Sequence, residues 1–230
     1  MYFLFCVRGS LPGESDKEEM KKNIRQGNIA VFASGSGSNF VAIAKAVKKR
    51  MLRVNLCLLI CDNPEAPVIG KAARLKIPVL IVARNDFHSR EAFEEQIIDA
   101  LRARKVDLIV LAGFMRILSP AFVRNYSGRI INIHPALLPA FKGAHAIRDA
   151  FDYGVKVSGV TVHFVDELTD HGPIIMQKEV AVKESDSLQS LEARIHKAEH
   201  RIYPLALKLI LNGKSAIKGR KVVFPRRKSF

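Results

Sequence analysis

Ile29-Ala30-Val31-Phe32-Ala33 runs straight into Ser34-Gly35-Ser36-Gly37-Ser38-Asn39, and this junction decides the fold. Five apolar residues without polar alternation describe a strand covered on both faces. After the Gly/Ser turn, Phe40, Val41, Ile43, Ala44 and Val47 recur as one side of a helix to about Arg50, with a basic far side. The same strand-then-helix grammar repeats downstream. Val54–Cys61, Pro78–Val82, Val106–Ala112 and Ile130–Ile133 read as further buried strands; Val68–Leu75 and the amphipathic Ser89–Arg104 read as helices. Alternation at this spacing predicts an α/β fold: an open, mostly parallel Rossmann-like sheet with helices on both faces. The last third changes character. Gly159–Val165 and Ile174–Val182 read as strands joined by the loop Asp166–Pro173. Ser187 then caps a long helix to about Leu211, stopped by Asn212-Gly213 and kinked or divided at Pro204.

The chain has 230 residues, of which 48% are hydrophobic and 26% charged. That suits one globular domain with a full core, or at most two small ones, and argues against disorder, a collagen-like repeat or a disulfide scaffold. No window reaches the roughly 18 apolar residues of a membrane span. Three cysteines, an odd number, point to a reducing, cytoplasmic setting. The abnormal statistic is the formal net charge of +15. Residues 212–230 hold Lys214, Lys218, Arg220, Lys221, Arg226, Arg227 and Lys228 with no acid, and read as a solvated basic tail. Residues 1–28 read as a disordered leader that fits a signal peptide poorly, with Met20 a second candidate start. Residues 29–211 are left as the folded domain.

Ligands of open α/β sheets bind at the carboxyl ends of the strands, so the strand-end loops are the candidate site. Ser34–Asn39 fails the dinucleotide fingerprint, because Phe40 takes the third glycine position, and it lacks the Gly-Lys pair of a Walker A loop. It reads either as a monophosphate cradle at a helix N-terminus or as a tight turn with no ligand. In Ile131-Asn132-Ile133-His134-Pro135, period-2 geometry places Asn132 and His134 on one face. An amide donor beside an imidazole suits a developing oxyanion, with a protonated His as general acid. The loop Asp166–Pro173 offers carboxylates that would favour a charged His134. His196-Lys197-Ala198-Glu199-His200 matches the HxxEH zinc pattern, but no acid follows Glu199 to supply a third ligand. No metal is therefore expected, and Glu199 reads as a lone carboxylate able to bind an amine. Cys57 and Cys61 read as buried strand residues.

Taken together, Ala33–Asn39, Leu111–Leu118, Ile131–Pro139, Gly159–Val165 with Asp170–Pro173, and Glu199–Pro204 resemble the phosphoribosylglycinamide formyltransferase family, across roughly residues 29–211. The resemblance implies formyl transfer from 10-formyltetrahydrofolate, a consumed co-substrate, to the amine of glycinamide ribonucleotide in purine biosynthesis, with no permanently bound cofactor. It implies that Asn132, His134 and Asp170 are catalytic. Gly37, Ser38 and Asn39 would hold the ribose 5-phosphate, and Glu199, with His196, the glycinamide end. Arg90, Met115, Arg116, Ile117, Leu118, Asn132, Val165 and Asp170 would contact the folate. His163 matches a supporting strand histidine, while His171 stands where a smaller residue is expected. Methionyl-tRNA formyltransferase and formyltetrahydrofolate hydrolase are rival readings, disfavoured by length and by the Ser34–Asn39 loop. A basic nucleic-acid-binding protein is a third. The expected partners are small molecules, with neither membrane nor nucleic acid among them.

Overall fold

The computed structural model describes residues 27–212 and 215–224. Among these residues nine strands form one sheet, in the order β3-β2-β1-β4-β5-β6-β7-β9-β8. Strands β1 (Asn28–Phe32), β2 (Asn55–Cys61), β3 (Val79–Ile81), β4 (Val106–Leu111) and β5 (Ile130–His134) are parallel. β6 (Val157–Phe164) runs antiparallel to β5, and β7 (Ile174–Ala181) antiparallel to β6. The helices are α1 (Ser38–Lys48), α2 (Pro67–Arg74), α3 (Arg90–Ala103), α4 (Pro120–Asn125), α5 (Ala146–Tyr153) and α6 (Leu188–Leu211). This is the α/β open sheet that the apolar runs predict.

Both faces of the central strands are buried, which explains runs that do not alternate. Ile29 and Val31 of β1 pack with Phe40 and Ile43 of α1 and with Leu191, Ile195 and Leu207 of α6. Ala30 and Phe32, one position out of phase, pack with Phe93, Ile97 and Leu101 of α3 and Phe122 of α4. Each large side chain buried this way contributes about 1.5–3 kcal/mol. Ser89, Ser119 and Ser187 each accept a backbone N–H from the first turn of α3, α4 and α6, so three serines fix where those helices begin.

The structure departs from the sequence expectation in three places. The short helices α4 and α5 are additional; α4 follows a Ser119-Pro120 start and α5 stops at Gly154, whose φ is 81°. α6 runs unbroken through Pro204, which is buried with Tyr203 and Ala206 against the core; packing holds the helix together across the missing N–H. The basic tail is not simply solvated. Ala216–Lys218 (β8) and Lys221–Val223 (β9) form a hairpin about Gly219-Arg220, and β9 extends the sheet beside β7 through Ile174 and Lys221. Ile217, Val222 and Val223 flank a glycine with φ 58°, a hairpin pattern hidden among lysines. Other residues of the leader and tail lie outside the described chain.

The chain order reverses about β1, which has β2 on one side and β4 on the other. Loops leaving β1 and β4 therefore diverge over one crevice, and β5 supplies its floor.

Candidate active site

Asn132 and His134 sit on the last turns of β5, and β4 holds them in register, Leu111 opposite Asn132. Across the antiparallel partner, Asn132 faces His163 and His134 faces Thr161. The Asn132 amide donates from Nδ2 to Nε2 of His163 at 3.2 Å. His163 is itself fixed, because its Nδ1 lies 2.8 Å from the Phe164 carbonyl and must carry the proton there. Burial pushes the His163 pKa down, against the opposing carbonyl bond and Asp170, and so favours the neutral ring. Nε2 is then an acceptor, which orients the Asn132 amide and leaves its second N–H for another oxygen.

His134 lies between two acceptors. Its Nε2 is 2.7 Å from the Phe141 carbonyl, and its Nδ1 is 3.3 Å from Oδ2 of Asp170. The carbonyl only accepts, so Nε2 carries a proton, while Nδ1 faces the carboxylate at close range without an aligned hydrogen bond. The contact to Asp170 is the looser one, which leaves Nδ1 as the ring nitrogen available to a substrate oxygen. Asp170 also accepts the Gly143 N–H at 2.9 Å and lies 3.8 Å from His163. Its φ of 47° is left-handed, a conformation that costs an L-residue about 1–2 kcal/mol and that Asp tolerates better than most. The chain that delivers it is tightly bounded: a Cβ on Gly172 would meet the Phe164 carbonyl at 1.9 Å, so only glycine fits.

At the end of β1, Gly37 takes φ 70° and opens α1, whose first N–H groups point into the crevice. A Cβ there would strike Val68 at 2.2 Å, so glycine is required on both counts. Asn39 is buried and donates to Oε2 of Glu199 at 2.9 Å, joining the β1 loop to α6 across 160 residues of sequence. His196 Nδ1 lies 3.0 Å from the same oxygen, and that bond raises the His196 pKa despite partial burial. The hydroxyl of Tyr203 anchors this part of α6 to the sheet, 2.7 Å from the Leu111 carbonyl and 3.1 Å from that of Ile131.

The loop after β4 presents Met115 and Ile117 at 69% and 72% exposure, two apolar side chains held in solvent. Its shape is fixed from behind. Arg116 Nε donates to Asp62 at 2.8 Å, and Arg90 donates to the Ile117 carbonyl and approaches Glu94 at 3.4 Å. Glu94, only 5% exposed, accepts the Ser119 N–H at 2.6 Å and the Ser119 hydroxyl.

Residues 27–207 match the family model described as formyl transferase. Phosphoribosylglycinamide formyltransferase of Bacillus subtilis (strain 168) is 48% identical over 183 residues, which cover 80% of this chain and 94% of that protein. The chain belongs to the phosphoribosylglycinamide formyltransferase family. Among solved structures, glycinamide ribonucleotide transformylase 1 from Symbiobacterium toebii superposes with a TM-score of 0.85 at 40% identity, over 87% of this chain and 94% of that one. A formyltetrahydrofolate deformylase from Pseudomonas syringae pv. tomato shares the architecture at a TM-score of 0.81, but at 26% identity and over 66% of its length.

In this formyltransferase, the fold brings the expected catalytic trio together through the contacts of Asn132, His134 and Asp170 just described. Asn39, Glu199 and His196 form one hydrogen-bonded group. Gly37 and Ser38 stand at the start of α1, Leu118 is buried behind the Met115–Ile117 loop, and Val165 bonds the Ile130 carbonyl at 2.9 Å. Arg90 braces the loop rather than projecting freely. Sequence reading missed Lys71, whose Nζ donates to the Ser36 carbonyl at 2.7 Å and so sets a cation beside the glycine loop; the one-sided pattern of α2 held no cue to it. It also missed Glu94, an acid at a core position of α3 where the helical pattern calls for an apolar residue. Among the described residues no group of three or more His, Cys, Asp or Glu side chains could hold a metal ion. Burial raises the thiol pKa of both Cys57 and Cys61, which keeps them protonated. No described helix is long and apolar enough to cross a membrane.

Proposed function

We propose that the chain transfers the formyl group of 10-formyltetrahydrofolate to the amine of glycinamide ribonucleotide, in the synthesis of purines. The observation that carries this reading is the clustering of an oriented amide (Asn132), an imidazole between two acceptors (His134) and a carboxylate (Asp170) beside a glycine loop suited to a phosphate. Gly37, Ser38 and Asn39 receive the 5-phosphate with backbone and side-chain donors at the α1 N-terminus, near Lys71. Glu199 and His196 meet the glycinamide end. Met115 and Ile117 offer apolar surface to the folate ring system, with Leu118 packed behind them and Arg90, Arg116, Val165 and Asp170 along its edge.

The neutral amine attacks the formyl carbon, and the carbonyl electrons move onto the formyl oxygen. The free Nδ2 proton of Asn132 and the Nδ1 proton of His134 stabilise that oxyanion. Asp170 stabilises the imidazolium and passes the proton lost by the amine, through water, to N10 of the folate. The bond between carbon and N10 then breaks, giving the formamide product and tetrahydrofolate. The protein supplies positioned donors and one carboxylate; the folate is consumed in each turnover.

The test is formyl transfer from 10-formyltetrahydrofolate to glycinamide ribonucleotide, run beside a control without acceptor. Acceptor-dependent product supports the reading. Equal folate turnover without acceptor would instead identify a hydrolase.

A further inference from the structure

Two features stand outside the chemistry above: the basic C-terminal hairpin and the histidine that follows Asp170. They meet. Arg220, in the two-residue turn between β8 and β9, sets Nη1 over the His171 ring, 2.8 Å from Nε2 and 3.3 Å from Nδ1, and donates from Nη2 to the His171 carbonyl at 2.7 Å. His171 Nδ1 lies 2.7 Å from Oδ2 of Asp166, whose other oxygen accepts the Leu168 N–H at 3.1 Å. His171 thereby bridges an acid at the start of the loop and a cation 49 residues further on. Lys221, next to Arg220, pairs with Ile174, and that pairing fixes the hairpin three residues past His171.

We propose that Arg220 is a positioning residue for Asp170, and that the C-terminal hairpin clamps the loop which presents that carboxylate to His134. Asp170 needs holding: its backbone is left-handed, and its contact to His134 is a long one of 3.3 Å. The Gly143 N–H fixes its side chain. Arg220 fixes the main chain immediately after it, through a carbonyl and a ring at once, which is the two-pronged contact an arginine makes and a lysine cannot. Because the guanidinium is exposed and lies at a turn, its loss leaves the core intact. The proposal rests on the reading of Asp170 as catalytic.

The experiment compares Arg220→Ala, Arg220→Lys, His171→Ala, Asp170→Asn and the double variant Arg220→Ala/Asp170→Asn, in steady-state kinetics and thermal melts. Arg220→Ala should lower kcat roughly 10- to 100-fold, the size expected when a reacting group is displaced by about an ångström. KM for glycinamide ribonucleotide and the melting midpoint should stay unchanged. Arg220→Lys should recover part of the rate, and Arg220→Ala and His171→Ala should not add. In the Asp170→Asn background, Arg220→Ala should cause no further loss. A wild-type kcat in Arg220→Ala, or the same proportional loss in both backgrounds, overturns the clamp. Wild-type turnover by Asp170→Asn overturns the catalytic reading itself, and is told apart because it needs no change at Arg220.

Discussion

Replacing Gly37 by alanine tests the phosphate cradle through its backbone. Two penalties can be worked out separately. The φ of 70° is left-handed, which costs about 1–2 kcal/mol once a Cβ is present. That Cβ would also lie 2.2 Å from Cγ2 and 2.6 Å from Cβ of Val68, a fully buried residue of α2 that has no room to retreat. Overpacking of this kind costs about 1–3 kcal/mol. Together they predict a loss of roughly 2–5 kcal/mol, and each kcal/mol lowers the melting midpoint of a chain this size by about 2–4 °C. The local answer is more telling than the global one. Relief of the clash must push the start of α1 away from α2, spoiling the amide geometry that would receive a phosphate, so KM for glycinamide ribonucleotide should rise while that for the folate holds. Adding Val68→Ala removes the nearer contact, to Cγ2, but keeps the Cβ at 2.6 Å and the left-handed backbone, so the relief is partial. The pair should therefore couple by about 0.5–3 kcal/mol, the double variant losing less than the sum of the singles. An unchanged midpoint would refute the packing argument, and an unchanged KM in a destabilised Gly37→Ala protein would refute the cradle.

Asn132→Ala and His134→Ala should each lower kcat about 100- to 1000-fold, the worth of one lost oxyanion donor of about 2.7–4 kcal/mol, with circular dichroism unaltered; near-normal turnover in either removes it from the mechanism. The histidines should titrate in opposite directions from 6.5. The bond to Glu199 raises the His196 pKa, so its stabilisation is complete below pH 6.5 and is lost as pH climbs through the raised value. Burial lowers that of His163, whose contribution is present above pH 6.5 and fades as pH falls toward the depressed value. Proton NMR of the ring resonances reads both, and Glu199→Gln should bring His196 back toward 6.5 without moving His163.

Periodicity was enough for the central sheet because its strands are buried on both faces: Ile29 to Phe32 could hardly be anything but a covered strand. The serines at 89, 119 and 187 are local signals, and two of them were read as helix starts. α5 escaped notice because it carries no start signal: His145 makes no side-chain cap, whereas the equally short α2 opens on Pro67. The hairpin Ala216–Val223 was lost in the charge statistics, since three-residue strands flanked by lysines look like a tail until the apolar Val222 is seen to rest on the core. For the site, period-2 geometry was sufficient to set Asn132 beside His134. Neither the pairing of Asn39 with Glu199 nor the approach of Asp170 to His134 is local, so neither is written in any spacing; what marked these residues was the resemblance of their motifs. Lys71, Glu94 and Arg220 belong to no strand-end motif, and only tertiary contact gives them a role.

The point where the chain order reverses does more than open a crevice; it ties its two halves together. Ser34, the first residue after the buried run of β1, donates its N–H to the Gly113 carbonyl at 3.0 Å and accepts the Met115 N–H on its hydroxyl at 2.9 Å. The loop proposed to hold the phosphate and the loop proposed to hold the folate are thus joined by two hydrogen bonds made by one residue that is 8% exposed. Ser34→Ala removes only the side-chain bond, a net loss of about 0.5–1.5 kcal/mol. Because the bond belongs to both loops, the cost should appear in KM for both substrates, in contrast to Gly37→Ala, which should raise only one. A cost in one KM alone would mean that the loops are independent and that the stitch at Ser34 supports folding but not the meeting of the two substrates.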